Sequence, residues 1–148
     1  MTFEIRILMS AEFELARELF TLFQIDDGIK NPTGASNDYV KNLLSRNDFH
    51  AIAAFENEKI IGGLTAYELV KYKRETSEMF LYEIVVDKNF RRGGVATKLI
   101  ESLNRICAEK NIPEMFVITE EGNQPAKKLY QSTGGKFEET ALYSYKIK

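Results

Sequence analysis

Residues Met79–Cys107 read MFLYEIVVDKNFRRGGVATKLIESLNRIC, an apolar strand joined to an amphipathic helix through two arginines and two glycines. Met79 to Val86 is rich in aromatic and β-branched residues, which suits a buried strand, and Asp87, Lys88 and Asn89 end the apolar run. From Val95 onward Val95, Leu99, Ile100, Leu103, Ile106 and Cys107 recur at the spacing of one helix face. Arg91 to Ala96 is therefore the start of a helix. The first turn of a helix carries backbone N–H groups with no intrahelical partner, and the macrodipole adds partial positive charge. Glycines at 93 and 94 let an anion approach the main chain closely, with the Arg91 and Arg92 cations beside it. The stretch predicts a pyrophosphate cradle. It is neither a P-loop, since no Gly-Lys-Ser/Thr follows, nor the spaced-glycine dinucleotide fingerprint. On local sequence alone the same residues also suit a plain turn flanked by solvated arginines.

The chain has 148 residues, 44% of them apolar, enough for one domain (1–148) with a core that needs no disulfide or metal. A net charge of −2 with 28% charged residues advertises neither a nucleic-acid partner nor an anionic membrane surface. The N-terminal segment has early acidic residues and no long apolar core, so neither a signal peptide nor a membrane span is expected, and a cytoplasmic location is. Cys107 is the only cysteine and His50 the only histidine, which argues against a disulfide or a Cys/His metal site. Cys107 lies on its helix's apolar stripe and His50 opens an apolar strand, and both are expected to be structural. Catalysis must then come from carboxylates, tyrosines and backbone.

Around the central stretch, Phe3 to Leu8 alternates as a half-exposed strand. Ser10 is expected to cap a helix carrying Phe13, Ala16, Leu19, Phe20 and Phe23. A loop over 26–35 leads to a short helix capped by Ser36 or Asn37. Phe49 to Phe55 and Lys59 to Val70 form a hairpin about Asn57-Glu58, with a bulge expected at Gly62-Gly63. Met115 to Thr119 is a strand parallel to Met79–Val86, since a helix separates them. Asn123 or Gln124 caps a last helix that ends at Gly134-Gly135, and Phe137 and Ala141–Ile147 supply closing strands. The pattern is α/β, with one central sheet and flanking helices.

Arg91-Arg92-Gly93-Gly94-Val95-Ala96 resembles the Arg/Gln-x-x-Gly-x-Gly/Ala signature of the GNAT N-acetyltransferase superfamily, whose corresponding turn binds the pyrophosphate of acetyl-coenzyme A. Asn123-x-x-Ala126-x-x-Leu129-Tyr130, followed by Gly134, resembles that family's last block, where the tyrosine protonates the departing thiolate. The family often has Phe or Ala where Gly135 stands. The resemblance implies the GNAT acyl-CoA N-acyltransferase fold, a central mixed and mostly antiparallel sheet with a parallel splayed strand pair. It also implies acetyl-coenzyme A as co-substrate, with no metal, and a small-molecule amine as the partner, nucleic acid and membrane being absent from the scheme. The implied donor contacts are Ile84, Val85, Val86, Arg91, Arg92, Gly93, Gly94, Val95, Ala96, Thr97, Asn123 and Tyr130. A backbone N–H of Val85 or its neighbours would polarise the thioester, Tyr130 would be the general acid, and Glu83 or, second, Glu120 the base.

Asp38 to Leu44, Ile52 to Phe55, Gly62 to Tyr67, Ser77-Glu78 and Tyr82-Glu83 resemble the aminoglycoside 3-N-acetyltransferase (gentamicin acetyltransferase) branch, which usually carries Asp at the positions of Glu83 and Glu120. A polycationic aminoglycoside calls for several carboxylates, and Asp26, Asp27, Glu78, Glu83, Glu120 and Glu121 are the candidates. Two alternatives stay open: a GNAT enzyme for a polyamine, an amino sugar or a protein amino group, and an acyl-coenzyme A sensor without catalysis. Homodimer formation is a further possibility.

Overall fold

The computed structural model describes residues 2–148. The chain divides into two compact units, Met1–Ile118 and Thr119–Lys148. The first holds a five-stranded sheet of order β1(Glu4–Ile7), β2(Phe49–Glu56), β3(Lys59–Val70), β4(Ser77–Val86), β5(Met115–Val117). All neighbours are antiparallel except β4 and β5, which are parallel. The β2–β3 turn falls at Asn57-Glu58, both at positive φ (48° and 67°), the handedness that a two-residue hairpin needs.

Helices α1(Phe13–Asp26) and α2(Asn37–Leu44) cover one face of the sheet, where Ala16, Leu19, Phe23, Val40 and Leu44 pack with Phe49, Ala51, Ala53, Phe55 and Val85. Helix α3(Val95–Glu109) buries Val95, Leu99, Ile100, Leu103, Ile106 and Cys107, and alternation along β2 assigns Ile52 and Ala54 to the opposite, α3-covered face. Cys107 takes the core position expected of it, and burial pushes its thiol pKa up. His50 is structural as well. Its Nε2 lies 2.6 Å from Glu68 Oε2, and Lys110 from beyond α3 reaches both Glu68 and the Asn47 carbonyl.

Three expectations change. Ser10 does not cap α1; it begins a 3₁₀ turn, Ser10–Glu12, whose Glu12 carboxylate accepts from the Met9 N–H at 3.1 Å instead. The β3 bulge falls one residue before the glycine pair, at Ile61, because Ala54 pairs with Gly62 and Phe55 with Ile60. Phe137 and Ala141–Ile147 form no strands; residues 136–148 have no regular secondary structure, are exposed and join no strand of the sheet. Alternation gives a segment the propensity for a strand, and an edge to pair with is the other requirement.

In the second unit α4(Gln124–Ser132) is capped by Asn123, whose Oδ1 accepts from the Ala126 N–H at 3.1 Å, with Pro125 in the first turn. It ends through Gly134 at φ 102° and a Gly135 N–H that donates to the Tyr130 carbonyl at 2.8 Å. The exit at Gly135 is a close one, since a Cβ there would stand 2.9 Å from that carbonyl oxygen.

Gly63 is where α1 meets the sheet. A Cβ would lie 2.5 Å from Leu19 Cδ1 and 2.7 Å from the Ile52 carbonyl oxygen, so α1 rests directly on backbone. Leu19 is one of the largest fully buried side chains and has no room to yield. Gly63→Ala should therefore cost about 1–3 kcal/mol in urea unfolding; an unchanged midpoint would show that α1 can lift away freely.

Candidate active site

Strand β4 builds the site through one irregularity. Thr65 pairs with Glu83 and Ala66 with Leu81, which leaves Tyr82 as an extra residue. Such a bulge reverses the alternation of the strand beyond it. Before it, Met79 donates its N–H to the Glu114 carbonyl beyond β5's start, at 3.0 Å. After it, Asp87 donates to the Ile61 carbonyl on β3, at 2.8 Å. By alternation Glu83 and Val85 turn their backbone groups to β3, while Ile84 and Val86 turn theirs to the side where β5 would lie.

β5 is absent there, because its pairing covers only Met79–Leu81. The two strands part beyond Leu81, at a point marked by Phe80 stacked on Phe116 with centroids 4.5 Å apart. A slot about five residues long, roughly 16 Å, is left with unpaired strand edge on the β4 side. At its end lies the helix entrance. Arg92 and Gly94 are both left-handed (φ 67° and 83°), Gly94 is the N-cap of α3, and no side chain caps the helix. Lys98 N–H returns to the Gly94 carbonyl, so Val95, Ala96 and Thr97 carry the unpartnered N–H groups of the first turn. An uncapped helix N-terminus beside two arginines fits a pyrophosphate, and an unpaired strand edge fits an extended amide arm.

Arg91 has a second task. Its Nε donates to the Val86 carbonyl at 3.0 Å and its Nη2 lies 3.2 Å from Asp26 Oδ1, tying the slot to the end of α1. Asp27, the next residue, acts on Glu83: the Glu83 pKa is raised by burial first and by the Asp27 charge second. The bulge places Tyr82 edge-on to both Tyr67 and Phe80, with centroids 5.4 Å and 5.5 Å apart. Burial first, then the charges of Tyr82, Glu83 and Tyr39, raise the Tyr67 pKa, which puts these four groups in one neighbourhood. The result is an acidic pair in an aromatic setting on the α1–α2 face.

Of the acidic candidates in this unit, Asp27 is near enough for its charge to help raise the Glu83 pKa, and Asp26 pairs with Arg91. Glu78 stands apart at the far end of β4, 3.5 Å from Lys71. In the second unit, Glu121 faces Lys127 at 3.5 Å and the Glu120 carbonyl accepts from Asn123 N–H. Tyr130 is half-buried, and burial pushes its hydroxyl pKa up, so it holds its proton at neutral pH. Tyr39, Tyr67 and Tyr82 were not among the expected site residues. Tyr67 and Tyr82 in apolar strands look like ordinary core and Tyr39 like an exposed helix residue, and only the bulge, which sequence does not mark, brings both Tyr82 and Glu83 to Tyr67. Among the described residues no group of three or more His, Cys, Asp or Glu side chains could hold a metal ion, and no helix is long and apolar enough to cross a membrane.

The chain was compared with known proteins. None of the curated protein sequences matches it. Among solved structures it is similar to the aminoglycoside acetyltransferase meta-AAC0020 from an uncultured soil metagenomic sample, in complex with sisomicin, at 29% identity and TM-score 0.94 over 99% of this chain and 97% of that one. It is likewise similar to the aminoglycoside acetyltransferase HMB0005, also from an uncultured soil metagenomic sample, at 31% identity and TM-score 0.94 over 100% of both chains. The aminoglycoside N-acetyltransferase AAC(6')-Iy, in complex with a CoA-linked bisubstrate analogue, shares the fold at 24% identity and TM-score 0.83 over 99% of each chain. The model of the acetyltransferase (GNAT) family matches residues 13–134. With the parallel β4–β5 pair, the open strand edge and the uncapped α3 entrance in place, the chain belongs to the GNAT acetyltransferases, enzymes whose acetyl donor is acetyl-coenzyme A.

Proposed function

We propose that this enzyme transfers acetyl from acetyl-coenzyme A to an amino group of an aminoglycoside, the 3-amino group being the one that the sequence resemblance favours. The likeness to two aminoglycoside acetyltransferases over nearly the whole chain carries the proposal. The Glu83–Asp27 pair with its tyrosines adds support, because a polyhydroxylated cation needs carboxylates for its ammonium groups and aromatic faces for its rings.

In this scheme Ile84 and Val86 hold the pantetheine arm as an added strand, and one of their N–H groups polarises the thioester carbonyl. Val85 contributes through its side chain, which is packed under α1. Arg92, Gly93, Gly94 and the free N–H groups of Val95, Ala96 and Thr97 take the pyrophosphate, while Arg91 keeps that entrance fixed to Val86 and Asp26. Glu83 removes a proton from the acceptor ammonium, with Glu120 as the alternative base. The neutral nitrogen attacks the thioester carbon; the C–N bond forms, the C–S bond breaks, and Tyr130 gives its proton to the thiolate. Asp27 holds the acceptor's positive charge and Asn123 orders the helix that carries Tyr130.

Thiol release should be measured with gentamicin, sisomicin, a simple amino sugar and spermidine, with NMR locating the new amide. Turnover of spermidine alone, or acetylation away from the 3-amino position, would overturn the respective part of the proposal. Tyr130→Phe should lower kcat about 10²-fold or more while leaving acetyl-coenzyme A binding intact; normal turnover removes Tyr130 as the acid. Arg92→Gly removes a cation but suits the left-handed backbone, so stability should hold within about 1 kcal/mol while acetyl-coenzyme A binds more weakly. Equal affinity would leave the cradle to backbone alone.

For Glu83 the sign of the pH dependence is fixed. A base whose pKa is raised ionises later, so kcat/KM should climb with pH across a range above that of an ordinary carboxylate and then level off. A raised folded-state pKa contributes stability that is complete below the unfolded value and is lost as pH rises through the folded one. Glu83→Gln should therefore be inactive yet more stable than the parent at pH 7, with the difference closing towards about pH 4; calorimetry that finds no such gap would refute the buried, repelled carboxylate.

A further inference from the structure

Helix α1 ends on two acids, Asp26 and its C-cap Asp27, and its last turn has no basic residue. Negative charge is unfavourable there, because the macrodipole already places partial negative charge at a helix C-terminus. The cation that answers Asp26 comes from 65 residues along the chain, Arg91 at the turn into α3. A guanidinium is a planar fork of five N–H donors. Nε donates to the Val86 carbonyl at 3.0 Å, and Nη2 donates to Asp26 Oδ1 at 3.2 Å. Among the described residues Nη1 has no hydrogen-bond partner.

Both members of the pair are about half exposed, 55% for Arg91 and 47% for Asp26, and an exposed ion pair holds weakly. Such a pair is open part of the time, so a ligand that steadies one member shifts the balance. An anion at the α3 entrance steadies Arg91, by its charge and through the donors still free. Asp26 then meets a side chain whose freedom is already lost. Directly beyond Asp26 the α1 exit is closed by three bonds, from the N–H groups of Asp27, Gly28 and Ile29 to the carbonyls of Phe23, Ile25 and Gln24, each 3.0 Å. A helix end on the surface is where local opening is easiest, and this one carries Asp27, whose charge acts on Glu83.

We propose that Asp26 is a positioning residue: with acetyl-coenzyme A at the α3 entrance, Arg91 holds Asp26 and so steadies the α1 exit that carries Asp27, coupling donor binding to acceptor binding. The coupling rests on the donor placement proposed above. It is reciprocal, so each ligand tightens the other by the same factor.

Hydrogen exchange with coenzyme A as the probe reads the coupling without an acceptor. Coenzyme A should slow exchange of the Val95, Ala96 and Thr97 amides and, about five-fold or more, of the Asp27, Gly28 and Ile29 amides. In Asp26→Ala the first set should still slow and the second should not, and Asp26→Glu should restore part of the second. Unchanged or faster exchange at 27–29 in the parent, or equal slowing there in Asp26→Ala, would overturn the coupling and leave the donor placement standing. No slowing at 95–97 with coenzyme A bound would overturn both. Sisomicin should bind about five-fold or more tightly when coenzyme A is present, and Asp26→Ala should bring that factor within about two-fold. A parent that binds sisomicin without such a factor refutes the coupling. One that binds no sisomicin refutes the aminoglycoside reading, and exchange at 27–29 still decides the coupling.

Discussion

One extra residue in β4 sets the chemistry of the sheet. Without the bulge at Tyr82 the strand would keep its alternation, and Glu83 would share the face of Met79 and Leu81, both buried in apolar surroundings. With it, Glu83 turns towards the end of α1, and the backbone groups of Ile84 and Val86 turn to the open edge. Burying a lone carboxylate in an apolar core costs several kcal/mol. The bulge thus makes an acidic residue tolerable at this position and, by the same reversal, aims the N–H groups at the slot. The face that carries Glu83 and the open edge of β4 have a common origin.

The bulge alone does not fix where α1 ends, and two further contacts do. Gly63 lets Leu19 sit on bare backbone, which sets the height of the helix above the sheet. Arg91 then bridges the Val86 carbonyl and Asp26, which sets how α1's last turn meets the α3 entrance. The ion pair itself is exposed and worth little as stability. Its value is positional, because Asp27 follows Asp26 directly and can face Glu83 only while α1 ends where it does.

In this candidate site the helix entrance and the open strand edge were legible in the sequence and the Glu83 face much less so, for a physical reason. A helix entrance and a strand edge are backbone devices, and glycines beside arginines at a strand–helix junction announce them locally. So do Asn57-Glu58 at the hairpin, Ser36 and Asn123 as caps, and the apolar stripe of α3. The Glu83 face is assembled from side chains of α1, β3 and β4 that are distant in sequence, and its geometry hinges on a register shift that no residue type signals. Tyr82 looked like a strand residue, and Asp26 looked like Asp27, although one holds Arg91 and the other acts on Glu83. The tail failed for a related reason: alternation over Ala141–Ile147 describes a strand's faces and says nothing about which edge receives it.

In the proposed scheme the raised pKa of Glu83 would link this geometry to substrate choice. Burial and the Asp27 charge both work against its ionised form. A cation placed between the two carboxylates removes the repulsion and favours ionisation of Glu83, the form a base requires. An acceptor with a single amine loses that compensation as soon as its ammonium is deprotonated for attack. One with a second ammonium nearby keeps Asp27 neutralised while the reacting nitrogen gives its proton to Glu83. In the proposed scheme, with Glu83 as the base, the same pair of acids would favour acceptors bearing several amines over monoamines at the chemical step as well as in binding, the charge pattern of the proposed aminoglycoside acceptor.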